Sequence, residues 1–411
     1  MRRVVVTGMG IVSSIGNSTQ EALASLREAK SGIVRAEQYA ELGFRCQVHG
    51  APNLEWEGMV PRKARRFMEA GVGWNYIAMD QAIRDAGLES GDVVNERTGV
   101  IMGSGGPSTR AIVRAADTAR EKDPKKIGPF EVPKGMCSGP SAALATAFQI
   151  KGANYSISSA CATSAHCIGN AAEMIQWGKQ DVMFAGGCEE LDWTLSVLFD
   201  AMGAMSTGFN ATPARASRAY DKDRDGFVIA GGAGVLVLEE LQRAKARGAR
   251  IYAEVAGYGA TSDGFDMVAP SGEGAVRCMK LATDGFPGAL RRNAPVDYIN
   301  SHGTATPVGD ITELDAIRAV FGQKLPTVSS TKSMTGHSQG ATGAHEAVYS
   351  LLMLQHDFVA PSINIDNLDP GAEGYPIARQ RVDKAGLQTV MSNSFGFGGT
   401  NACLLFSRYD H

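Results

Sequence analysis

Short apolar runs alternate with amphipathic segments along almost the whole chain. Brief apolar runs bounded by glycine or polar residues are typical of strands, and apolar positions with helical spacing are typical of helices. We predict strands at residues 3–7, 99–102, 154–158, 182–185, 234–238, 252–258, 298–300, 328–330, 389–394 and 402–407. We predict helices at residues 19–29, 63–86, 161–178, 239–247, 272–282, 311–321 and 341–354. Their regular alternation predicts an α/β layered fold.

The alternation divides the chain into two halves, residues 1–250 and 251–411. The segment 253–259 opens the second half with a strand followed by glycine, as the segment 4–10 opens the first. A strand followed by glycine is common, so this similarity is only a weak indication of internal duplication. No linker rich in proline, glycine and serine separates the halves, and we expect them to share one core.

The composition excludes several classes of protein. Apolar residues make up 44% of the 411 residues and charged residues 20%, which favours a large folded core over disorder. The net charge of -3 lacks the basic excess of nucleic-acid binders. No apolar stretch is long enough to span a membrane, and the apolar run near the start is too short for a signal peptide. We therefore expect neither a nucleic-acid nor a membrane partner.

The seven cysteines indicate a reduced environment. Their number is odd, their spacing is irregular and no CxxC pair occurs, so we expect neither a disulfide framework nor a zinc site. Reduced cysteines favour a cytoplasmic protein.

One of these cysteines has the setting of a nucleophile. The segment 155–165 (Tyr-Ser-Ile-Ser-Ser-Ala-Cys-Ala-Thr-Ser-Ala) is typical of a strand that turns sharply into a helix, with Cys161 at the turn. Free backbone N–H groups and the helix dipole at that point favour a thiolate. By contrast, Cys167 and Cys278 lie inside amphipathic helices, and we interpret them as buried structural thiols.

Two histidines lie in glycine-flanked loops after predicted strands, where a substrate can approach closely. They are His302 in the segment 301–304 (Ser-His-Gly-Thr) and His337 in the segment 335–338 (Thr-Gly-His-Ser). One poised cysteine with two such histidines indicates acyl-transfer chemistry.

Several charged residues accompany the histidines. Lys332 precedes His337 by five residues and could hold a neighbouring imidazole or carboxylate in its needed state, with Glu346 as a partner; an ordinary surface lysine is an equal alternative. Asp310 and Glu313 follow His302 at a predicted helix N-terminus, where helix capping is an equally good explanation.

The glycine-rich segments 103–106 and 395–400 match neither nucleotide-binding pattern, because one needs GxGxxG in a βαβ unit and the other GxxxxGK[ST]. Backbone N–H groups beside Phe395 could instead complete an oxyanion hole with the N–H of Cys161.

Two basic clusters, one at residues 62–66 and one formed by Lys122, Lys125 and Lys126, are either solvated faces or a docking surface for an acidic partner.

With these residues assembled, the chain resembles the β-ketoacyl-[acyl-carrier-protein] synthases of the thiolase-like fold, and within them most closely the synthase I type. The resemblance covers essentially the whole chain. It rests on the segments 158–164 (Ser-Ser-Ala-Cys-Ala-Thr-Ser), 300–310 (Asn-Ser-His-Gly-Thr-Ala-Thr-Pro-Val-Gly-Asp), 331–337 (Thr-Lys-Ser-Met-Thr-Gly-His) and 393–401 (Asn-Ser-Phe-Gly-Phe-Gly-Gly-Thr-Asn).

The resemblance implies a five-layered αβαβα homodimer with internal duplication, in which each half of the chain supplies one sheet. It implies decarboxylative Claisen condensation of acyl-acyl carrier protein with malonyl-acyl carrier protein in fatty acid elongation, including unsaturated intermediates. It implies no cofactor and no metal beyond the phosphopantetheine of the acyl carrier protein partner.

It also implies roles for individual residues. Cys161 would take the acyl chain, His302 and His337 would stabilise the malonyl enolate, and Phe395 would supply an oxyanion-hole N–H and a gating ring. Supporting residues would be Lys332, Glu346 and Asp310. The substrate would be bound by Thr304, Thr306, Phe199, Met202 and Met136, and the carrier protein by Arg62, Lys63, Arg65, Arg66, Lys125 and Lys126.

The chain departs from the family pattern at a few positions. Gln339 stands where an apolar residue is usual and Thr342 where alanine is usual, and we expect both to affect packing more than chemistry. Pro107 could stiffen a loop near the end of the acyl tunnel.

Two alternatives stay open: a thiolase, which needs a second catalytic thiol such as Cys403, and a non-catalytic partner subunit, which the intact Cys161 argues against.

Overall fold

The computed structural model describes residues 1–409. Within them the strands are β1 (Val4–Val12), β2 (Val34–Arg35), β3 (Val48–His49), β4 (Thr98–Gly103), β5 (Asn154–Tyr155), β6 (Val182–Glu189), β7 (Gly232–Glu240), β8 (Ala253–Ser262), β9 (Tyr298–Asn300), β10 (Thr327–Ser329), β11 (Phe358–Val359), β12 (Val382–Asp383), β13 (Thr389–Gly396) and β14 (Thr400–Ser407).

The α-helices of the same residues are α1 (Thr19–Glu28), α2 (Glu37–Glu41), α3 (Arg62–Arg65), α4 (Ala70–Asp85), α5 (Ser90–Val93), α6 (Thr109–Glu121), α7 (Glu131–Gly135), α8 (Gly139–Phe148), α9 (Thr163–Gln176), α10 (Trp193–Met202), α11 (Leu241–Ala246), α12 (Glu273–Asp284), α13 (Gly309–Phe321), α14 (Lys332–Thr335) and α15 (Thr342–His356). Short 3-10 turns lie at Pro124–Lys126, Pro213–Arg215, Gln339–Ala341 and Pro370–Ala372.

The main sheet repeats one arrangement twice. Its strand order is β10-β9-β13-β14-β8-β1-β7-β6-β4-β5. In both halves the first strand pairs antiparallel with the last, and the last pairs antiparallel with the strand before it, β6 or β13. The strands from there to the edge, β6-β4-β5 and β13-β9-β10, pair in parallel. From the sequence we expect one sheet for each half; instead, β1 and β8 join the two five-strand sets through Val5–Glu254 and Val6–Ala253. The repeat supports internal duplication, while the boundary at residue 250 stays a prediction.

Two helices, α9 and α15, pack between the two five-strand sets. Their apolar side chains and the inner strand faces form the largest hydrophobic cluster. Helices α4 and α8 cover the outer face of the first set, and α12 and α13 cover that of the second. The layers therefore run helix, sheet, helix, sheet, helix. Each fully buried aliphatic side chain in these layers stabilises the fold by about 1.5–3 kcal/mol.

The first turns of α9 and α15 touch each other. A Cβ placed on Gly343 would lie 2.6 Å from the backbone nitrogen of Ala165, so a side chain does not fit there. Ala344 N–H donates a hydrogen bond of 2.8 Å to Ser164 Oγ. The N-termini of the two central helices are thereby brought together, with the loops that precede them.

Some predicted elements differ from the observed ones. The predicted helix 63–86 is broken between α3 and α4. In the break, Phe67 packs on Phe130 and Met68 is buried. Apolar residues therefore continue across the break, and the sequence pattern does not reveal it. The helices α6, α8 and α10 were not predicted. Helix α6 buries only Ala111, and α8 begins with a Gly-Pro pair that is typical of a turn. The predicted strand 154–158 has only its first two residues paired, as β5.

In the part of the chain that the structure describes, no helix has both the length and the apolar character needed to cross a membrane.

Candidate active site

Cys161 lies at the sharp turn that leads into α9, as predicted. Ala160, just before it, has a left-handed φ of 50°, an unusual conformation for alanine. The turn is held by Ala162 N–H donating to Ser159 O at 3.0 Å and by Ser159 N–H donating to Thr163 Oγ1 at 2.8 Å. Cys161 is 8% exposed and borders a cavity of about 420 Å³.

His337 lies in the loop before α15 and faces the thiol. Its backbone N–H donates to Val228 O at 2.7 Å, and its carbonyl accepts from Ala230 N–H at 2.9 Å. These bonds fix the loop against the segment that precedes β7. The Nε2 atom of His337 is 2.9 Å from the Sγ atom of Cys161, so the two groups are hydrogen bonded.

His302 follows β9 and stands edge-to-face against His337, with ring centroids 5.3 Å apart. A buried carboxylate holds its backbone in place: Glu313 accepts from His302 N–H at 2.9 Å and from Gly303 N–H at 2.8 Å. Glu313 also accepts from Asn393 Nδ2 at 3.1 Å. Glu313 therefore positions His302, a role beyond the helix capping considered from the sequence.

Both histidines are neutral at ordinary pH. Burial lowers the pKa of His302 and of His337 well below the usual value, and the Lys332 ammonium lowers both pKa values further. His337 adds to the effect on His302. A neutral imidazole that carries its proton on Nε2 can donate a hydrogen bond to an oxyanion, which is what enolate stabilisation requires.

Lys332 and Glu346 form the ion pair expected from the sequence. Lys332 Nζ donates to Glu346 Oε1, and both side chains are buried beneath the histidine loops. Burial raises the pKa of Glu346 to about 7, and the Lys332 charge opposes that rise. The surface-lysine alternative is therefore wrong.

The Cys161 thiol is protonated at rest. Burial raises the pKa of Cys161 to about 12, while Lys332 and the backbone N–H groups of Phe397 and Cys161 lower it. Glu189 adds to the rise. The sequence-based expectation that the helix N-terminus favours a thiolate is thus outweighed by burial, and the thiol has to lose its proton during the reaction.

The second backbone N–H beside the Cys161 sulfur is that of Phe397, and not that of Phe395 as the sequence analysis expected. Phe395 lies inside strand β13 opposite Asn401, so its backbone is part of the sheet. Phe397 lies in the turn after β13, where its N–H reaches the Cys161 sulfur. The Phe395 ring instead packs 5.9 Å from the His302 ring, and the 37% exposed Phe397 ring lies 6.4 Å from that of Phe199.

The cavity gathers most of the predicted substrate-binding residues. Its lining includes Phe199, Thr304, Thr306 and Phe395 with the cysteine and both histidines. Met202 is half exposed at the end of α10 and does not line it. Met136 lines a separate cavity of about 30 Å³ with Pro107.

Asp310 acts behind the cavity wall. It is fully buried and accepts from Ala305 N–H at 3.1 Å and from Tyr220 N–H at 3.0 Å. Arg224 Nε lies 3.3 Å from its carboxylate, and burial raises the pKa of Asp310 to about 6. Asp310 thus holds the Thr304–Thr306 loop.

The six predicted docking residues are exposed or half-buried. The Arg66 guanidinium stacks over the rings of Phe67 and Phe130 at 5.2 and 5.4 Å. Phe130 comes shortly after the turn at Pro124–Lys126, so this stacking places the first basic cluster beside the segment that follows the second. We use the name basic face for the six predicted residues Arg62, Lys63, Arg65, Arg66, Lys125 and Lys126.

The ligand atoms of Cys161, His302 and His337 all lie within 4.8 Å of one another. One thiol and two imidazoles suit a soft divalent ion such as zinc. Such an ion would occupy the reacting sulfur, so these residues could hold a metal only in a blocked state. The prediction that the protein uses no metal stays a prediction.

The contact between Gln339 and the Cys161 thiol was not predicted from the sequence. The Gln339 side chain borders the cavity, and its Oε1 atom accepts from the Cys161 thiol at 3.8 Å. We predicted a packing effect because the loop pattern gives no direction for that side chain. The left-handed φ of 48° at Gln339, which only the structure reveals, sets that direction.

Comparison with known proteins identifies the family. The model of the beta-ketoacyl synthase N-terminal domain matches residues 1–244, and that of the C-terminal domain matches residues 252–366. The chain belongs to the β-ketoacyl synthase family. The family and the thiolase-like fold inferred from the motifs are confirmed.

The chain is similar over its whole length to named members of this family. It is 59% identical over 411 residues to the Haemophilus influenzae protein "3-oxoacyl-[acyl-carrier-protein] synthase 1", covering 100% of both chains. It is also 59% identical to the Escherichia coli K12 protein of that name, covering 99% of both. A Burkholderia phymatum beta-ketoacyl synthase structure aligns with a TM-score of 0.93 at 35% identity, covering 100% of both chains.

The buried carboxylate behind His302 gives a testable prediction for this synthase. Glu313→Gln keeps the size of the side chain but replaces one acceptor oxygen with an NH2 group that cannot accept from a backbone N–H. We expect the free energy of unfolding to fall by about 1–3 kcal/mol, measured by urea denaturation. The control is Glu273→Gln, whose side chain is 65% exposed. Equal losses in the two variants would contradict the positioning role of Glu313.

Proposed function

We propose that this synthase condenses an acyl chain with a malonyl unit, both carried as thioesters on acyl carrier protein. The products are β-ketoacyl-acyl carrier protein, carbon dioxide and free carrier protein. The arrangement that supports the proposal is one thiol and two neutral imidazoles around a single cavity. The family membership and the full-length similarity to proteins named 3-oxoacyl-acyl-carrier-protein synthase 1 support it independently.

The first half-reaction is acyl transfer to Cys161. The sulfur attacks the carbonyl carbon of the acyl thioester, the carbon–sulfur bond to the carrier breaks, and the thiol proton leaves with the pantetheine sulfur. The Nε2–H group of His337, at 2.9 Å from the sulfur, is placed to stabilise the negative charge on that sulfur as the proton leaves. The N–H groups of Cys161 and Phe397 hold the developing oxyanion.

The second half-reaction is decarboxylation followed by condensation. The bond between the malonyl methylene and its carboxylate breaks, carbon dioxide leaves, and the electron pair forms an enolate. The Nε2–H groups of His302 and His337 donate to the enolate oxygen. The enolate carbon then attacks the acyl-Cys161 carbonyl, and Cys161 leaves as a thiolate that takes up a proton.

The remaining predicted residues support these steps. Thr304 and Thr306, whose hydroxyls are 3.3 Å apart, stand at the cavity wall beside His302 and would bind the phosphopantetheine arm. Phe199 would contact the acyl chain. Lys332, paired with Glu346, lowers the pKa of the Cys161 thiol and of both histidines, which favours the thiolate and the neutral imidazoles.

A thiolase is disfavoured because Cys403, the candidate second thiol, is fully buried inside β14 within the outer core of the second half. It does not line the catalytic cavity. The non-catalytic subunit is disfavoured because Cys161, His302 and His337 are all in place.

The two half-reactions are separable by mutation. His302→Ala removes an enolate donor but leaves the thiol, so we expect Cys161 to gain an acyl adduct while malonyl decarboxylation falls at least about 100-fold. Intact-mass spectrometry and carbon dioxide release measure the two steps, with Cys161→Ala as the control that cannot gain the adduct. A His302→Ala variant that gains no acyl adduct on Cys161 but releases carbon dioxide at the wild-type rate would refute these roles.

The basic face is the proposed docking site for acyl carrier protein, because such carriers are acidic. The double change Arg62→Glu and Lys63→Glu reverses two exposed charges away from the cavity. We expect KM for acyl-acyl carrier protein to rise about 10-fold, with rates on a short acyl-pantetheine thioester changed less than about twofold. Lys324→Glu, at an exposed position after α13, is the control. An unchanged KM would move the docking site elsewhere.

We infer that the protein is a homodimer that pairs through β5. Of the two edge strands, β10 is covered by residues 376–378 through Val328 N–H to Pro376 O and Ala378 N–H to Val328 O. Both residues of β5 are exposed, and an open edge invites pairing with another chain. Tyr155→Pro should therefore convert a dimer into a monomer by light scattering. A wild-type monomer, or a dimer that survives this change, would contradict the assignment.

A further inference from the structure

Gln339 holds an unusual position beside the reacting sulfur. It begins the turn Gln339–Ala341, which links the His337 loop to α15. Its φ of 48° is left-handed, a conformation that costs a non-glycine residue free energy and persists only where the surroundings impose it. The next residue is fixed as well, because Gly340 N–H donates to the buried Glu189 carboxylate at 2.7 Å. The Gln339 side chain is thereby directed at the catalytic cavity.

The Gln339 amide is only half satisfied. Its Oε1 accepts from the Cys161 thiol at 3.8 Å, but its Nε2 is buried and has no hydrogen-bond partner among residues 1–409. The residue is 6% exposed, so water does not cover the group freely. A buried amide donor without a partner lowers stability, and such groups are retained where they serve a function.

The thiol has partners on two sides. His337 Nε2 lies 2.9 Å from the sulfur and Gln339 Oε1 lies 3.8 Å from it. When His337 carries its proton on Nε2, it donates to the sulfur and the thiol proton is free to point at Gln339 Oε1. This is also the tautomer that the enolate step needs.

A thiolate has no proton to donate. After Cys161 is ionised, its sulfur therefore needs a hydrogen-bond donor at the place where the thiol needed an acceptor. The oxygen and nitrogen of an amide have nearly the same size, so a half-turn of the terminal bond exchanges them without new space. The unpaired Nε2–H group then reaches the position that Oε1 occupied.

We propose that Gln339 is a catalytic residue of this synthase that accepts a hydrogen bond from the Cys161 thiol and, after a half-turn of its amide, donates one to the thiolate. It stabilises the sulfur when Cys161 gives up its proton during acylation and when it leaves during condensation. An apolar side chain at this position would offer neither bond. Gln339 therefore tunes the reactivity of the thiol in this chain.

Alkylation of Cys161 by iodoacetamide tests the proposal, because it reports the thiolate directly and needs no acyl substrate. It therefore does not depend on the proposed condensation. Gln339→Met keeps an unbranched side chain of similar length without the amide. We expect its alkylation rate near neutral pH to fall about 10-fold, because loss of one hydrogen bond to the thiolate raises the pKa of the thiol by about one unit. Intact-mass spectrometry measures the adduct, with Cys161→Ala defining the background.

Two further variants make the result decisive. Thr342→Ala changes the neighbouring departure from the family pattern and should leave the profile as in the wild type. Gln339→Glu keeps the shape of the side chain but places a carboxylate near the sulfur, so its alkylation rate near neutral pH should fall further than that of Gln339→Met.

If Gln339→Met retains the wild-type alkylation profile, the residue only packs and the proposal is wrong. If alkylation is unchanged but condensation slows, Gln339 acts on the substrate instead, and the proposal is again wrong. Should Gln339→Met fail to fold, Gln339→Glu carries the test, because a wild-type alkylation rate near neutral pH in that variant excludes contact with the thiolate.

Discussion

The contact between the first turns of α9 and α15 is the constraint on which the catalytic geometry depends. Gly343 allows the backbone of α15 to approach Ala165 of α9 so closely that a methyl group would not fit. The loops before these two helices carry Cys161 and His337, so the contact places the thiol beside the imidazole. The third group, His302, arrives from the end of β9 and is held by Glu313.

Burial then decides the charge of each group. It raises the pKa of the thiol to about 12 and lowers both histidine pKa values well below the usual one. Lys332 lowers the pKa of all three groups and is itself ion-paired with Glu346. The site is thus built from neutral hydrogen-bond donors around a neutral thiol, which suits a reaction whose negative charge appears only transiently on sulfur and oxygen.

The sequence carries the reacting groups in short segments, and for this reason Cys161, His302, His337 and the Lys332–Glu346 pair could be predicted. The alternation of strands and helices likewise predicts the layered class of the fold. What failed depends on backbone conformation that a pattern does not encode. Choosing between Phe395 and Phe397 requires knowing that β13 ends at Gly396, and the direction of Gln339 depends on a left-handed φ. From the sequence, Glu313 could be predicted only as a possible helix cap. The backbone N–H groups that its carboxylate binds belong to the His302 loop, which lies near Glu313 only in the folded chain.

The central claim is that both catalytic histidines work as neutral donors. Nitrogen-15 NMR of histidine-labelled protein, with assignment by His302→Ala and His337→Ala, tests it most directly. We predict that His302 and His337 stay neutral with the proton on Nε2 between about pH 5 and 8. An imidazolium signal from either residue near pH 7, or a proton held on Nδ1 of both, would contradict the account.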